Sequence, residues 1–322
     1  MPKKGIVAIV GRPNVGKSTL FNRIIREKKA IVEDRPGVTR DRMYGNAEWL
    51  TLPFVVIDTG GITLEDAPFA KEIKMQAEIA IEEADVIVFC ISHKDGITPE
   101  DETVARILYK SKKPVILAVN KYDRKEPFNE SFTYMALGFG EPVLVSATHG
   151  IGTGDLLDAI AHQMPKKADN YDESTTRITI IGKPNVGKSS LVNSILNENR
   201  MIVSEIAGTT IDSVDSKIKW NENEYVIVDT AGLRKKGKIY ENLEKYSYLR
   251  SIASIVKSDI VIFLFDASEN ISDHDTNIAG FAFEEKKPIL MVGNKWDLVK
   301  NKTDKTINRK EEEVRSYFKY LN

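Results

Sequence analysis

The sequence predicts an α/β protein built as two tandem copies of one domain, each a mostly parallel sheet flanked by helices. Three observations carry that reading. The octapeptide Gly11-Arg12-Pro13-Asn14-Val15-Gly16-Lys17-Ser18 returns almost unchanged as Gly182-Lys183-Pro184-Asn185-Val186-Gly187-Lys188-Ser189. Short β-branched runs alternate with helix-period patterns through both halves, as strands sandwiched between helix layers require. The landmarks of the two halves also keep one separation, since 182 − 11, 210 − 39 and 229 − 58 all equal 171.

A chain of 322 residues is long enough for about two domains of ~150 residues. The expected division is residues 1–165 and 177–322, joined by a polar, charged linker over 166–176 that follows Pro165. Apolar content of 42% with 29% charged residues is ordinary for a globular protein. No apolar run approaches the ~18 residues of a membrane span, and Met1–Gly5 leads into a strand without a secretory pattern, so a cytosolic protein with no membrane partner is expected. A net charge of −1 excludes a chain that is basic throughout. Cys90, the only cysteine, has no partner for an internal disulfide and reads as a small core residue. His93, His149, His162 and His274 share no metal-ligand spacing and read as surface or loop residues.

In the first half, the strand over 5–10 precedes the octapeptide, and an apolar-periodic helix starts at Lys17-Ser18-Thr19. This strand, loop and helix context turns G-x-x-x-x-G-K-[ST] into a phosphate loop, whose backbone N–H groups wrap phosphates while Lys17 adds charge and Ser18 faces Mg²⁺. The turn-rich segment Pro36–Asp41 offers Thr39 to metal and phosphate. The strand over 53–58 ends in Asp58-Thr59-Gly60-Gly61, where the acid can reach the magnesium shell and Gly61 can bring an N–H to a terminal phosphate. Further strands are expected over 85–92, 114–120 and 142–147, with a helix starting at Thr98-Pro99 and another around Asp155–Gln163. Asn120-Lys121-Tyr122-Asp123 and Ser146-Ala147-Thr148 address the base. The Asp123 carboxylate accepts from a guanine's N1–H and exocyclic amine, whereas adenine presents an acceptor at N1.

The second half repeats these parts with Lys188, Ser189 and Ser190 opening the helix, Thr210 at the place of Thr39, then Asp229-Thr230-Ala231-Gly232, and Asn294-Lys295-Trp296-Asp297 displaced by 174. Both halves therefore read as P-loop NTPase domains of the Ras-like G-domain type. Two differences stand out. Leu233–Lys238 is a basic run, either a solvated loop or a contact to phosphate of RNA or of the assembly. The second domain also reads as incomplete at its C-terminus, lacking its last strand and helix and hence a counterpart of Ser146 and Ala147; its site is expected to hold nucleotide more weakly.

Paired G-[RK]-P-N-V-G-K-S loops with Asp-Thr-Gly-Gly, Asp-Thr-Ala-Gly and two Asn-Lys-x-Asp motifs closely resemble the Der (EngA) family of bacterial tandem GTPases over essentially all 322 residues. The resemblance implies GTP hydrolysis during assembly of the large (50S) ribosomal subunit, with rRNA contact through a KH-like domain that this sequence does not include. It also implies potassium near Asn14 and Asn185, where other families place an arginine finger. The implied catalytic groups are Lys17, Thr39, Gly61 and Asn14, with Lys188, Thr210, Gly232 and Asn185; magnesium would meet Ser18, Thr39 and Asp58, or Ser189, Thr210 and Asp229. Ras-like enzymes orient water with a glutamine after Asp-x-x-Gly, but Ile62 and Leu233 stand there and cannot. The alternative reading is a GTP-gated binder of ribosome or RNA in which hydrolysis is only a slow reset.

Overall fold

A computed structural model describes residues 4–26, 43–61, 69–123, 131–165, 175–196, 202–207, 214–221, 223–229 and 244–319. The chain divides into two compact units, one carrying the elements up to Gln163 and the other those from Thr176.

The first unit runs β1 (Gly5–Val10), α1 (Lys17–Arg26), β2 (Tyr44–Trp49), β3 (Leu52–Asp58), α2 (Phe69–Glu83), β4 (Val86–Ser92), α3 (Pro99–Lys110), β5 (Val115–Asn120), α4 (Ser131–Met135), β6 (Val143–Leu144) and α5 (Thr153–Gln163). Its sheet has the order β2-β3-β1-β4-β5-β6, parallel throughout except for β2 against β3. β4 is buried at every residue, as a strand covered on both faces must be. β2 has no forewarning in the sequence: it joins β3 through Leu50 and Thr51, both at positive φ, residue types that seldom adopt it. Leu20, Phe21 and Ile24 of α1 pack with Val7 and Ile9 of β1, Phe54 of β3 and Leu156 and Ile160 of α5. Each such side chain contributes about 1.5–3 kcal/mol on burial. Cys90 lies in this core with no exposed surface, and burial pushes its thiol up to about 12.

α3 begins as its sequence predicts. Thr98 Oγ1 accepts from the Asp101 N–H, and Asp101 in turn accepts from the Thr98 N–H.

The second unit runs β7 (Thr176–Ile181), α6 (Lys188–Leu196), β8 (Ile202–Ala207), β9 (Val214–Trp220), β10 (Asn223–Ile227), α7 (Glu244–Lys257), β11 (Ile260–Asp266), α8 (Asp273–Glu284), β12 (Ile289–Asn294) and α9 (Thr306–Tyr317). Its sheet order is β12-β11-β7-β10-β9-β8, with β8, β9 and β10 antiparallel and the rest parallel. β12 is the last strand of this sheet among the described residues. One device recurs in both units. Asp85 accepts from the Ile6 N–H, and Asp259 from the Arg177 N–H, each at 2.8 Å. These aspartates are 174 apart (259 − 85) against 171 for Asp58 and Asp229, so the three extra residues enter between those two landmarks. Among the described residues no helix is long and apolar enough to cross a membrane.

Candidate functional site

Strand register gathers the motifs at one edge. Ile9 pairs with Asp58, Val10 with Phe89 and Ser92 with Asn120, so the loops leaving β1, β3 and β5 emerge together at the carboxyl ends, where open α/β sheets bind ligands. The loop from Gly11 to Lys17 is folded by left-handed residues, with Gly11 at φ 156°, Asn14 at 64° and Gly16 at 96°. Such conformations turn successive N–H groups inward into an anion-binding nest. Gly16 is irreplaceable on two counts, since a Cβ there would also collide with Asn120 Nδ2. Lys17, buried, donates from Nζ to the carbonyls of Gly11 (2.7 Å) and Arg12 (2.9 Å), which folds its charge back over the loop. Ser18 and Thr19 stand exposed in the first turn of α1, and Val15 is buried beneath.

Beside this loop, Asp58 Oδ1 accepts from the Gly60 N–H at 2.8 Å and Thr59 Oγ1 donates to the Ile9 carbonyl at 2.7 Å. A Cβ on Gly60 would come within 2.7 Å of Lys17 Cε and 3.0 Å of Asp58 Oδ1, so the buried acid and the lysine face each other across a gap only glycine leaves open. Gly61 closes the short 3₁₀ turn that follows β3. One carboxylate and a hydroxyl are hard oxygen donors suited to Mg²⁺, which takes few protein ligands and completes its shell with water and phosphate. Among the described residues there is no cluster of three His, Cys, Asp or Glu able to hold a metal alone. Thr39, Thr210, Ile62, Thr230, Ala231, Gly232 and the basic run 233–238 lie outside the described residues.

The Asn120–Asp123 segment is tied directly to the Gly11–Lys17 loop. Asn120 Nδ2 donates to the Val15 carbonyl at 2.9 Å, and its Oδ1 accepts from the Ala147 N–H at 3.0 Å, both bonds buried. The Ala147 N–H thus meets Asn120 Oδ1. Lys121 Nζ donates to the Asn14 carbonyl. Asp123 accepts from Ser146 Oγ at 2.7 Å and stands 3.3 Å from Lys94 Nζ. The Ser146 hydrogen bond, with Lys94 assisting against slight desolvation, holds the Asp123 carboxyl below its usual range, so it stays an acceptor at neutral pH.

One residue here has no motif. Arg23 of α1 donates from its guanidinium to the carbonyls of Ala147 (2.9 Å) and Thr148 (2.6 Å), clamping the Ser146–Thr148 loop from 124 residues away. Its counterpart by repeat spacing is Ser194, too short for the task. Arg23→Ala is expected to speed GDP release from the first site by about fivefold, the equivalent of ~1 kcal/mol of lost charge-assisted bonding. Stopped-flow release of a fluorescent GDP checks this; an unchanged rate would show that the loop holds itself.

The second unit repeats the frame. Gly182, Asn185 and Gly187 have φ of 144°, 64° and 103°, Lys188 Nζ donates to the Gly182 and Lys183 carbonyls, and Asn294 Nδ2 donates to the Val186 carbonyl at 2.8 Å. Burial lowers the Lys188 ammonium to about 8, opposed by Asp275. Ser189 and Ser190 open α6, and Pro13 and Pro184 occupy matching places in the two loops. Arg12 and Lys183 turn their side chains away from the loop interior. Arg12 pairs with Asp95 and Asp101, and Lys183 pairs with Asp275 at 2.9 Å, so each loop is fastened to the acid that caps the helix after the fourth or eleventh strand. Lys295 differs from Lys121, pairing with Asp266 at 2.7 Å, and Asp297 lies exposed in the turn Trp296–Leu298. Asp229 differs more. Both its carboxylate oxygens accept from Arg250 of α7, at 2.6 and 2.7 Å, and its backbone sits at φ 60°.

The model of the family described as 50S ribosome-binding GTPase matches residues 6–121 and again 177–295. Among curated proteins, the chain is 68% identical to a GTPase Der of Mesoplasma florum over 319 residues, 99% of this chain and 73% of that one. It is 57% identical to a GTPase Der of Mycoplasma capricolum and 55% identical to one of Staphylococcus saprophyticus, each over the same 99% and 73%.

Proposed function

The chain belongs to the GTPase Der family, within the 50S ribosome-binding GTPases, and on that premise we propose that its two phosphate loops are separate nucleotide sites serving assembly of the large ribosomal subunit in the cytosol. It binds and hydrolyses GTP through tandem G domains. We assign these to residues 1–165 and 177–322, with 166–176 as linker. The observation that carries the two-site reading is the bond from Asn120 to the Val15 carbonyl and its twin from Asn294 to Val186, which in each unit ties a base-reading motif to a phosphate loop.

In the chemistry we propose, the backbone N–H groups of residues 11–18, Pro13 excepted, cradle the phosphates, and Lys17 exchanges its loop carbonyls for phosphate oxygens. Asp123, kept ionised, reads the guanine edge, and Lys121 braces the loop through Asn14. Magnesium, held by Ser18, Asp58 and Thr39, or by Ser189, Asp229 and Thr210, would neutralise charge on the phosphates. Phosphoryl transfer to water needs placement and charge stabilisation more than covalent chemistry, and a rigid cradle tied to the base motif supplies placement. Binding of the subunit is supported by the family's description, and contact with its rRNA is proposed with it.

Asn14 and Asn185 sit in matching left-handed positions at their loops, and we assign them to a potassium ion that offsets charge developing on the phosphates. GTP hydrolysis is then expected to run faster in potassium than in sodium salts at equal ionic strength, matched because screening alone alters binding of charged ligands. Asn14→Ala should lose the first site's share of that difference. Equal turnover in the two salts would remove potassium from the mechanism.

A further inference from the structure

We propose that Arg250 is a positioning residue of the second site, a latch on Asp229 that magnesium must displace, so that this site depends less on magnesium than the first. The inference rests on the reading of Asp229 as the magnesium-directed acid and deepens it. Both Asp229 oxygens are taken by the Arg250 guanidinium, at 2.6 and 2.7 Å, in the bidentate fork that makes such pairs strong. The two side chains are 25% and 20% exposed, so the pair is screened far less than a surface bridge. A carboxylate whose two oxygens already serve a guanidinium offers less to a metal shell than one that accepts from a neutral amide.

The first unit supplies the control within the same chain. Met75 and Leu249, both fully buried, occupy matching places in α2 and α7, and the aspartates Asp85 and Asp259 do the same job one strand on. That spacing of 174 puts Gln76, an uncharged residue, where Arg250 stands. There Asp58 Oδ1 accepts from the Gly60 N–H, and the Asp58 N–H donates to the Met43 carbonyl at 2.8 Å. In the second unit the Asp229 N–H donates to Asp215 Oδ1 at 2.9 Å, and Asp229 takes a left-handed φ that Asp58 does not share. Backbone and side chain together turn Asp229 to the helix that carries Arg250.

The test uses the full chain with one site silenced, Lys17→Ala to report the second and Lys188→Ala to report the first. For each, the affinity for a fluorescent GDP is measured in magnesium and in EDTA, and the ratio of the two is the readout. The ratio is expected to be about tenfold smaller at the second site, and Arg250→Gln should raise it to the first site's value. Arg250→Lys keeps the charge but loses the fork, and should raise the ratio part of the way; it decides the matter should Arg250→Gln fail to fold. Equal ratios at the two sites, or a ratio that neither variant moves, would overturn the latch. A second site that bound no GDP in either condition would overturn the site assignment itself, and the latch with it.

Discussion

Asp123→Asn is expected to turn the first site from guanine to xanthine nucleotides. The amide keeps the shape of the carboxylate but replaces one acceptor by a donor, so guanine's N1–H and amine lose a partner while xanthine's carbonyl at the same position gains one. Sites built around such a pairing reject the mismatched base strongly, and the preference should change by on the order of a hundredfold or more. The structure adds a reason to expect a clean switch: Asp123 is positioned by Ser146 Oγ at 2.7 Å, and a hydroxyl can donate to an amide oxygen as well as to a carboxylate. Competition between GDP and XDP in a Lys188→Ala background, so that only the first site reports, measures it. Retained guanine preference would mean that Asp123 does not read the base.

Asn120→Ala should do broader damage. The side chain joins the Val15 carbonyl to the Ala147 N–H through two buried bonds, and alanine would leave both backbone groups unsatisfied at about 1–3 kcal/mol each. It would also open space beside Gly16, whose close approach to Asn120 fixes the loop. Nucleotide affinity at the first site and thermal stability of the first unit should therefore fall together. Loss of affinity with an unchanged melting curve would restrict Asn120 to ligand contact and deny it the bracing role.

What the sequence discloses here is what lies close along the chain. The phosphate loops, the capping pair Thr98 and Asp101, and the strands that end at Asp58 and Asn120 are each written within a few residues, where spacing maps directly onto geometry. β2 is less visible, because its turn uses Leu50 and Thr51 in place of glycine or asparagine. The missed contacts share a different cause. Arg23 reaches a loop 124 residues away, and Arg12 reaches Asp101 across 89. Nothing in an arginine of a helix or a loop announces which distant carbonyl or carboxylate it will meet; the parallel sheet alone brings them together. Arg250 carries one faint signal, the replacement of Gln76 by a charged residue at the matching place in the repeat, and it gains meaning only once Asp229 is seen beside it.

The central claim, two guanine-nucleotide sites in one chain, is tested most directly by calorimetric titration of GDP in magnesium into the unaltered chain and into Lys17→Ala and Lys188→Ala, with ADP as competitor. The expected result is two GDP bound per unaltered chain, one per variant, and no displacement by ADP. A single GDP per unaltered chain, with one variant titrating like the parent and the other not at all, would contradict it.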